Sequence, residues 1–139
     1  MYEQCLYFNA NALVRSLNRI WDEAFRQVGL SPAHGYLLML VLEQPELSQK
    51  AIARELGLAP STVTRFVDAL SNRRLVERNK AKGDGREFTV RATAEGRLLQ
   101  QQLQQIGMGL YQKMRQRLGD ERFDKLVGDL RTAHNALSE

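Results

Sequence analysis

Residues 56–70 read LGLAPSTVTRFVDAL. Gly57 breaks an apolar periodic run, Pro60 follows three residues later, and Val63, Phe66, Val67 and Leu70 then recur at helical spacing. The face opposite that stripe carries Ser61, Thr62, Thr64, Arg65, Asp68 and Asn72. A helix that only meets water usually carries long Glu and Lys side chains. Short hydroxyls around one arginine suit a helix whose backbone must come close to another molecule. Ser and Thr then hydrogen-bond phosphates or base edges, and Arg65 is long enough for a bidentate contact with a guanine edge. The plain structural reading stays beside this one: Ser61 and Thr62 as capping residues, and Arg65 solvated.

Upstream, ELSQKAIARELG (residues 46–57) supplies the partner helix. Ser48 can cap it, Leu47 can pack on Ile52 as a hydrophobic staple, and Gly57 stops it. The two helices around Gly57-Leu58-Ala59 predict a helix-turn-helix. Downstream, LVERN and EFTVR are short alternating runs with Val76, Phe88 and Val90 as strand formers. Between them KAKGDGR predicts an exposed basic hairpin tip. Between Arg65 and Arg91 eight basic residues face four acidic ones, which accounts for the whole net charge of +4. The candidates for nucleic-acid contact in or near this stretch are therefore Ser61, Thr62, Thr64, Arg65, Arg73, Arg74, Arg78, Lys80, Lys82 and Arg86. A solvated basic loop is the competing reading of the charge. Asp84 either pairs with a basic side chain to hold the loop or is simply wet.

Long helical stripes flank this centre. Leu6, Ala10, Leu13, Leu17, Ile20, Ala24 and Val28 predict a first helix ending at Gly29. Ser31 and Pro32 read as N-cap and first residue of a second helix, ended by Pro45. Thr93 caps the next, with Leu99, Leu103, Ile106, Leu110 and Met114 inward, and with Gly107 and Gly109 marking a bend or a close crossing. Phe123, Leu126, Val127, Leu130, Ala133 and Leu137 form the stripe of a last helix. The expected fold is mainly α with a small two-stranded β wing. Residues 31–92 form the winged helix-turn-helix, and residues 1–30 and 93–139 the helical dimerisation region, because a small basic centre cannot cover the terminal stripes alone.

The remaining features exclude more than they suggest. The 139 residues contain one cysteine, Cys5, so no disulfide can form within the chain. The longest apolar run, YLLMLVL, is seven residues, whereas a bilayer needs about 20. With no basic region leading into a long apolar block at the N-terminus, the expectation is a cytoplasmic protein without membrane contact. Two distant histidines and one cysteine offer no metal-ligand spacing, no cofactor is expected, and no nucleotide-binding or nucleophile-elbow motif points to an enzyme.

The stretch LSQKAIARELGLAPSTVTRFVDALSNRRLVERNKAKGDGREFTVRATAEG (residues 47–96) resembles the winged helix-turn-helix of the MarR family of bacterial transcriptional regulators. The likeness is strongest at STVTRFVDAL, RRLVER, the wing pattern Asp84-Gly85-Arg86, and Thr93 with Gly96. Ala92-Thr93 departs from the Leu-Thr frequent in the family. The resemblance implies a homodimer with interlocking N- and C-terminal helices. It also implies recognition helices in successive major grooves of a pseudo-palindromic operator on double-stranded DNA, and wings at flanking minor grooves. Ser61, Thr62, Thr64 and Arg65 match the helix role and Arg86 the wing role. It further implies repression relieved by a small aromatic or phenolic effector, for which Arg15, Trp21, His34 and Tyr36 are the candidate liners. For each of these four a structural role is the stronger reading.

Two alternatives stand against this. One is a winged-helix protein–protein adaptor without DNA binding, which predicts a neutral wing and no arginine on the recognition face. RNA binding is a smaller variant. The other is a redox sensor acting through Cys5, as in relatives that pair such a cysteine with tyrosines. Here Asn9 stands four residues on, with Tyr2 and Tyr7 near in sequence. A buried, inert thiol is the simpler reading of Cys5.

Overall fold

The computed structural model describes residues 2–80 and 88–138. The proposed hairpin tip, with Lys82, Asp84, Gly85 and Arg86, lies outside them. The described residues fall into two compact units that meet in sequence at Gln104 and Gln105.

In the first unit, α1 (Leu6–Phe25) runs into a short 3-10 turn, Arg26–Val28, and stops at Gly29, whose φ of 65° is the left-handed value that glycine adopts freely. Ser31 then caps α2 (Pro32–Glu43), its Oγ accepting from His34 N–H at 3.2 Å. Gly35 lets α2 approach α1 closely: a Cβ there would overlap the ring of Phe25, which is fully buried. Leu37, Leu38 and Val41 carry the interior onward from α2.

The strand β1 (Leu47–Ser48) leads into α3 (Gln49–Leu56), and Ser48 caps α3 by accepting from Ala51 N–H at 3.0 Å. Gly57, at φ 63°, turns the chain into α4 (Pro60–Asn72). Ile52 from α3 and Val63, Val67 and Leu70 from α4 are fully buried, so the apolar stripe of α4 is what docks it. Phe66, expected inward with them, is only half-buried and meets the His34 ring edge-on at 4.7 Å.

After α4 the chain forms β2 (Val76–Lys80) and β3 (Phe88–Ala92), antiparallel, with Val76 opposite Ala92 and Lys80 opposite Phe88. The two-stranded wing gains a third member, because β1 pairs on the other side of β3 through Leu47–Val90 and Ser48–Thr89, giving the order β1-β3-β2. Val76 and Val90 point into the core, while Phe88 stays 48% exposed. Thr93 caps α5 (Ala94–Leu98), accepting from Gly96 N–H at 3.1 Å and donating to the Arg74 carbonyl at 2.6 Å. The single helix expected from Thr93 onward is instead broken by a turn at Leu99, before α6 (Gln100–Leu118). Gly107 and Gly109 lie inside α6 without interrupting it, and nothing packs against Gly109.

The second unit holds the remainder of α6 and α7 (Asp120–Leu137), joined through Gly119 at φ 84°. Arg115 fastens them. Its guanidinium lies over the Tyr111 and Phe123 rings and donates to Asp124 and Asp120 at 2.8 Å. The hydrogen bond from Arg115 lowers the pKa of the Asp124 carboxyl from its ordinary value. Ile106, Leu110 and Met114 are buried, but no residue of α7 is: Phe123 and Leu126 are half-buried, and Val127, Leu130 and Leu137 are exposed. The inward stripe expected for α7 is partly covered at Phe123 and Leu126 and open from Val127 onward. Among the described residues no helix is long and apolar enough to cross a membrane, and no cluster of metal-ligating side chains occurs.

Candidate nucleic-acid interface

The outer face of α4 is built by its inner face. With Val63, Val67 and Leu70 locked inward, Ser61, Thr64, Arg65 and Asp68 are exposed and Thr62 is half-exposed. The N-cap of α4 is Ala59, whose side chain makes no capping bond, so Ser61 and Thr62 are not capping residues. At the helix start Pro60 has no N–H, and the Thr62 and Val63 amides donate to the Ala59 carbonyl at 3.0 and 3.1 Å, so the partial positive charge of the helix end is presented with few spare donors.

Arg65 lies along this face and reaches the Thr62 hydroxyl only at 3.5 Å, the outer limit of a hydrogen bond. Thr64 is exposed, but its hydroxyl is already engaged. Its hydroxyl donates to the Pro60 carbonyl at 3.1 Å and accepts from Gln49 Nε2 at 3.3 Å. Arg78, from β2, is committed within the fold: it donates to Asp68 at 2.6 Å, to Gln49 Oε1 at 2.7 Å and to the Thr64 carbonyl at 3.3 Å. Arg73 donates to the Gly29 carbonyl at 2.6 Å. Arg74 takes a left-handed φ of 61° in the turn between α4 and β2, with an exposed side chain. Lys80 is exposed at the end of β2. Lys82 and Arg86 lie outside the described residues.

The candidate liners of an effector site separate. Trp21 Nε1 donates to the Tyr36 hydroxyl at 3.0 Å, and the Tyr36 ring lies 5.2 Å from that of Phe25. His34 packs on Phe66, and its pKa is lowered from the ordinary 6.5, first by burial and then by the nearby Arg73 charge. Arg15 is exposed on α1. Cys5 is half-buried just before α1, beside the edge-on pairs that Phe8 makes with Tyr2 and Tyr7.

Gln49 was not visible as a site residue from sequence. It is an ordinary first-turn residue of α3 in the linear pattern, and only the packing of α3 on α4 and β2 gives its amide two partners on different elements. A polar side chain with both donor and acceptor at that first turn is the one signal that could have marked it.

Residues 28–87, which span the helix-turn-helix and most of the wing, match the sequence model of the MarR family. That stretch, less than half of the 139 residues, is similar to the MarR family. Among relatives of this chain, YhbI of Bacillus subtilis, an HTH-type transcriptional regulator, is 36% identical over 84 residues, covering 57% of this chain. The match spans about half of that relative's own length, 54%. The transcriptional regulator PcaV of Streptomyces coelicolor, solved with its natural ligand, superposes with a TM-score of 0.83 over 100% of this chain and 97% of its own, at 23% identity. The transcriptional repressor CouR, bound to a 23-mer DNA duplex, gives a TM-score of 0.77 at 26% identity, covering 95% and 94%. These likenesses confirm the helical fold with a small antiparallel wing.

Proposed function

We propose that this chain is a sequence-specific DNA-binding transcriptional regulator that represses from a pseudo-palindromic operator as a homodimer. One observation carries the reading: α4 is fixed by three fully buried residues and turns an uncapped N-terminus, Ser61 and Arg65 outward. This arrangement supports a helix inserted end-first into a major groove, with its positive end toward phosphate and Arg65 toward a base edge. A protein–protein adaptor without DNA binding predicts no arginine on this face, whereas Arg65 is exposed on it. The likeness to the DNA-bound CouR repressor supports the same reading.

The homodimer is supported by apolar surface left without cover. On α1, Leu6, Tyr7, Phe8 and Val14 are exposed, and on α7 Val127, Leu130 and Leu137. Apolar faces of this extent favour burial against a second copy. Sedimentation should give twice the 15.9 kDa chain mass.

Selection of bound duplexes from a random pool tests the function directly. The expected result is a two-fold symmetric site with half-site centres about one helical turn apart. Its log affinity should fall with log salt at roughly 0.9 per phosphate contacted. No enrichment, or a flat salt response, would end the proposal.

An aromatic effector acting on Arg15, Trp21, His34 and Tyr36 is a second reading, supported by the ligand-bound PcaV relative and by the direct bond between Trp21 and Tyr36. Trp21 is the sole tryptophan, so its fluorescence reports on that place alone. Phenolic acids should change the emission and release the selected duplex together; emission unchanged at saturation would remove this effector site.

A further inference from the structure

The hydrogen bonds behind the recognition face meet at a single polar junction. Arg78 stands in the middle of β2, Asp68 and Thr64 lie one turn apart on α4, and Gln49 opens α3. Arg78 Nε donates to Gln49 Oε1 at 2.7 Å, while its Nη2 donates to Asp68 Oδ1 at 2.6 Å and to the Thr64 carbonyl at 3.3 Å. Gln49 Nε2 donates in turn to the Thr64 hydroxyl at 3.3 Å. Three elements that otherwise meet through apolar packing are thus also joined by directional bonds.

Resting on the DNA-binding reading, we propose that Gln49, Asp68 and Arg78 are positioning residues that set the tilt of α4 and the orientation of Thr64 for base recognition. Apolar packing tolerates small rotations; a fork of hydrogen bonds from one guanidinium does not. A 13-residue helix is about 20 Å long, so a rotation of roughly 5° about its middle moves either end by about 1 Å. That is enough to spoil a bidentate arginine contact. The Thr64 hydroxyl, its proton given to Pro60 and one lone pair to Gln49, has a single lone pair left and so would meet a base as an acceptor only.

The charge of Asp68 makes the proposal separable from simple electrostatics. An acidic side chain on a DNA-facing helix repels phosphate, so its neutralisation should by charge alone tighten binding. Positioning requires the reverse, because Asp68→Asn weakens the grip of Arg78 on α4.

The experiment uses the full chain and the duplex that the wild type recovers from a random pool. It compares Asp68→Asn, Gln49→Ala and the double variant by affinity, salt slope and base preference. Each single variant is expected to lose roughly 3- to 30-fold in affinity, with the double losing less than the product, as members of one network do. Base preference should flatten within each half-site while the salt slope stays at the wild-type value. A purely structural role would not flatten base preference. Asp68→Asn binding as tightly as wild type or tighter, or losses that multiply with preference unchanged, would overturn the proposal. If Asp68→Asn does not melt cooperatively, Gln49→Ala decides: wild-type preference and affinity in that variant overturn it equally. A wild type that recovers no duplex is a different outcome, because it removes the DNA-binding reading itself.

Discussion

Arg73 donates from Nη1 to the main-chain carbonyl of Gly29 at 2.6 Å, joining the end of α4 to the turn after α1 across 44 residues of sequence. The guanidinium that the charge pattern offers to DNA is therefore in use as a tie between two helix ends. Arg73→Ala should lower the urea unfolding free energy by about 1 kcal/mol, a value at the low end because the bond is solvent-exposed. The salt slope of DNA binding should not change. An unaltered unfolding midpoint together with a slope reduced by about 1 would show that Arg73 instead contacts phosphate.

Two glycines carry steric demands that alanine would violate. A Cβ at Gly35 meets the buried Phe25 ring, and one at Gly96 meets the Leu75 carbonyl, which accepts from Thr93 N–H at 3.0 Å and cannot move cheaply. Each glycine-to-alanine variant should destabilise by about 1–3 kcal/mol. Gly109→Ala, with open space around it, should leave stability equal or slightly raised. Thermal melts of the three variants check this ordering, and a Gly109 variant that melts lowest would contradict it.

Arg65→Ala should weaken binding to the selected duplex by about 1–3 kcal/mol and relax preference at one position per half-site. Competition binding against duplexes changed at single positions measures both effects. A uniform loss on every sequence would reassign Arg65 to phosphate.

His34 gives the fold a pH dependence with a definite sign. Its folded pKa lies below the ordinary 6.5, from burial first and Arg73 second, so the unfolded chain binds the proton more readily. The contribution of neutral His34 is therefore complete above pH 6.5. It declines as pH falls from there toward the lowered folded value. Between pH 7.5 and 5.5 wild type should lose more melting temperature than His34→Gln, which has no proton to take up. Equal losses would show that His34 does not titrate differently on folding.

Much of the helical framework is legible along the chain, since its signals are local. Ser31, Ser48 and Thr93 each cap the helix they precede, and Gly29 and Gly57 take the left-handed turns that their positions require. The burial of Val63, Val67 and Leu70 follows from a 3.6-residue period that any reader of the sequence can count. Such features depend on neighbours within about four residues, so a linear text contains them.

Other features needed the folded chain. The two-residue strand Leu47–Ser48 is too short to show an alternation and exists only because β3 lies beside it. The turn at Leu99 separates α5 from α6 without a glycine or proline to mark it. Sequence reading treats Arg65, Arg73 and Arg78 as equivalent cations. Tertiary structure leaves the first on an exposed face, spends the second on a backbone carbonyl and the third on Asp68 and Gln49. Charge is a property of composition, whereas availability depends on which partners the fold brings within 3 Å. Periodicity and caps therefore determined the helices of this protein, and long-range packing alone decided which of its basic side chains are left for another molecule.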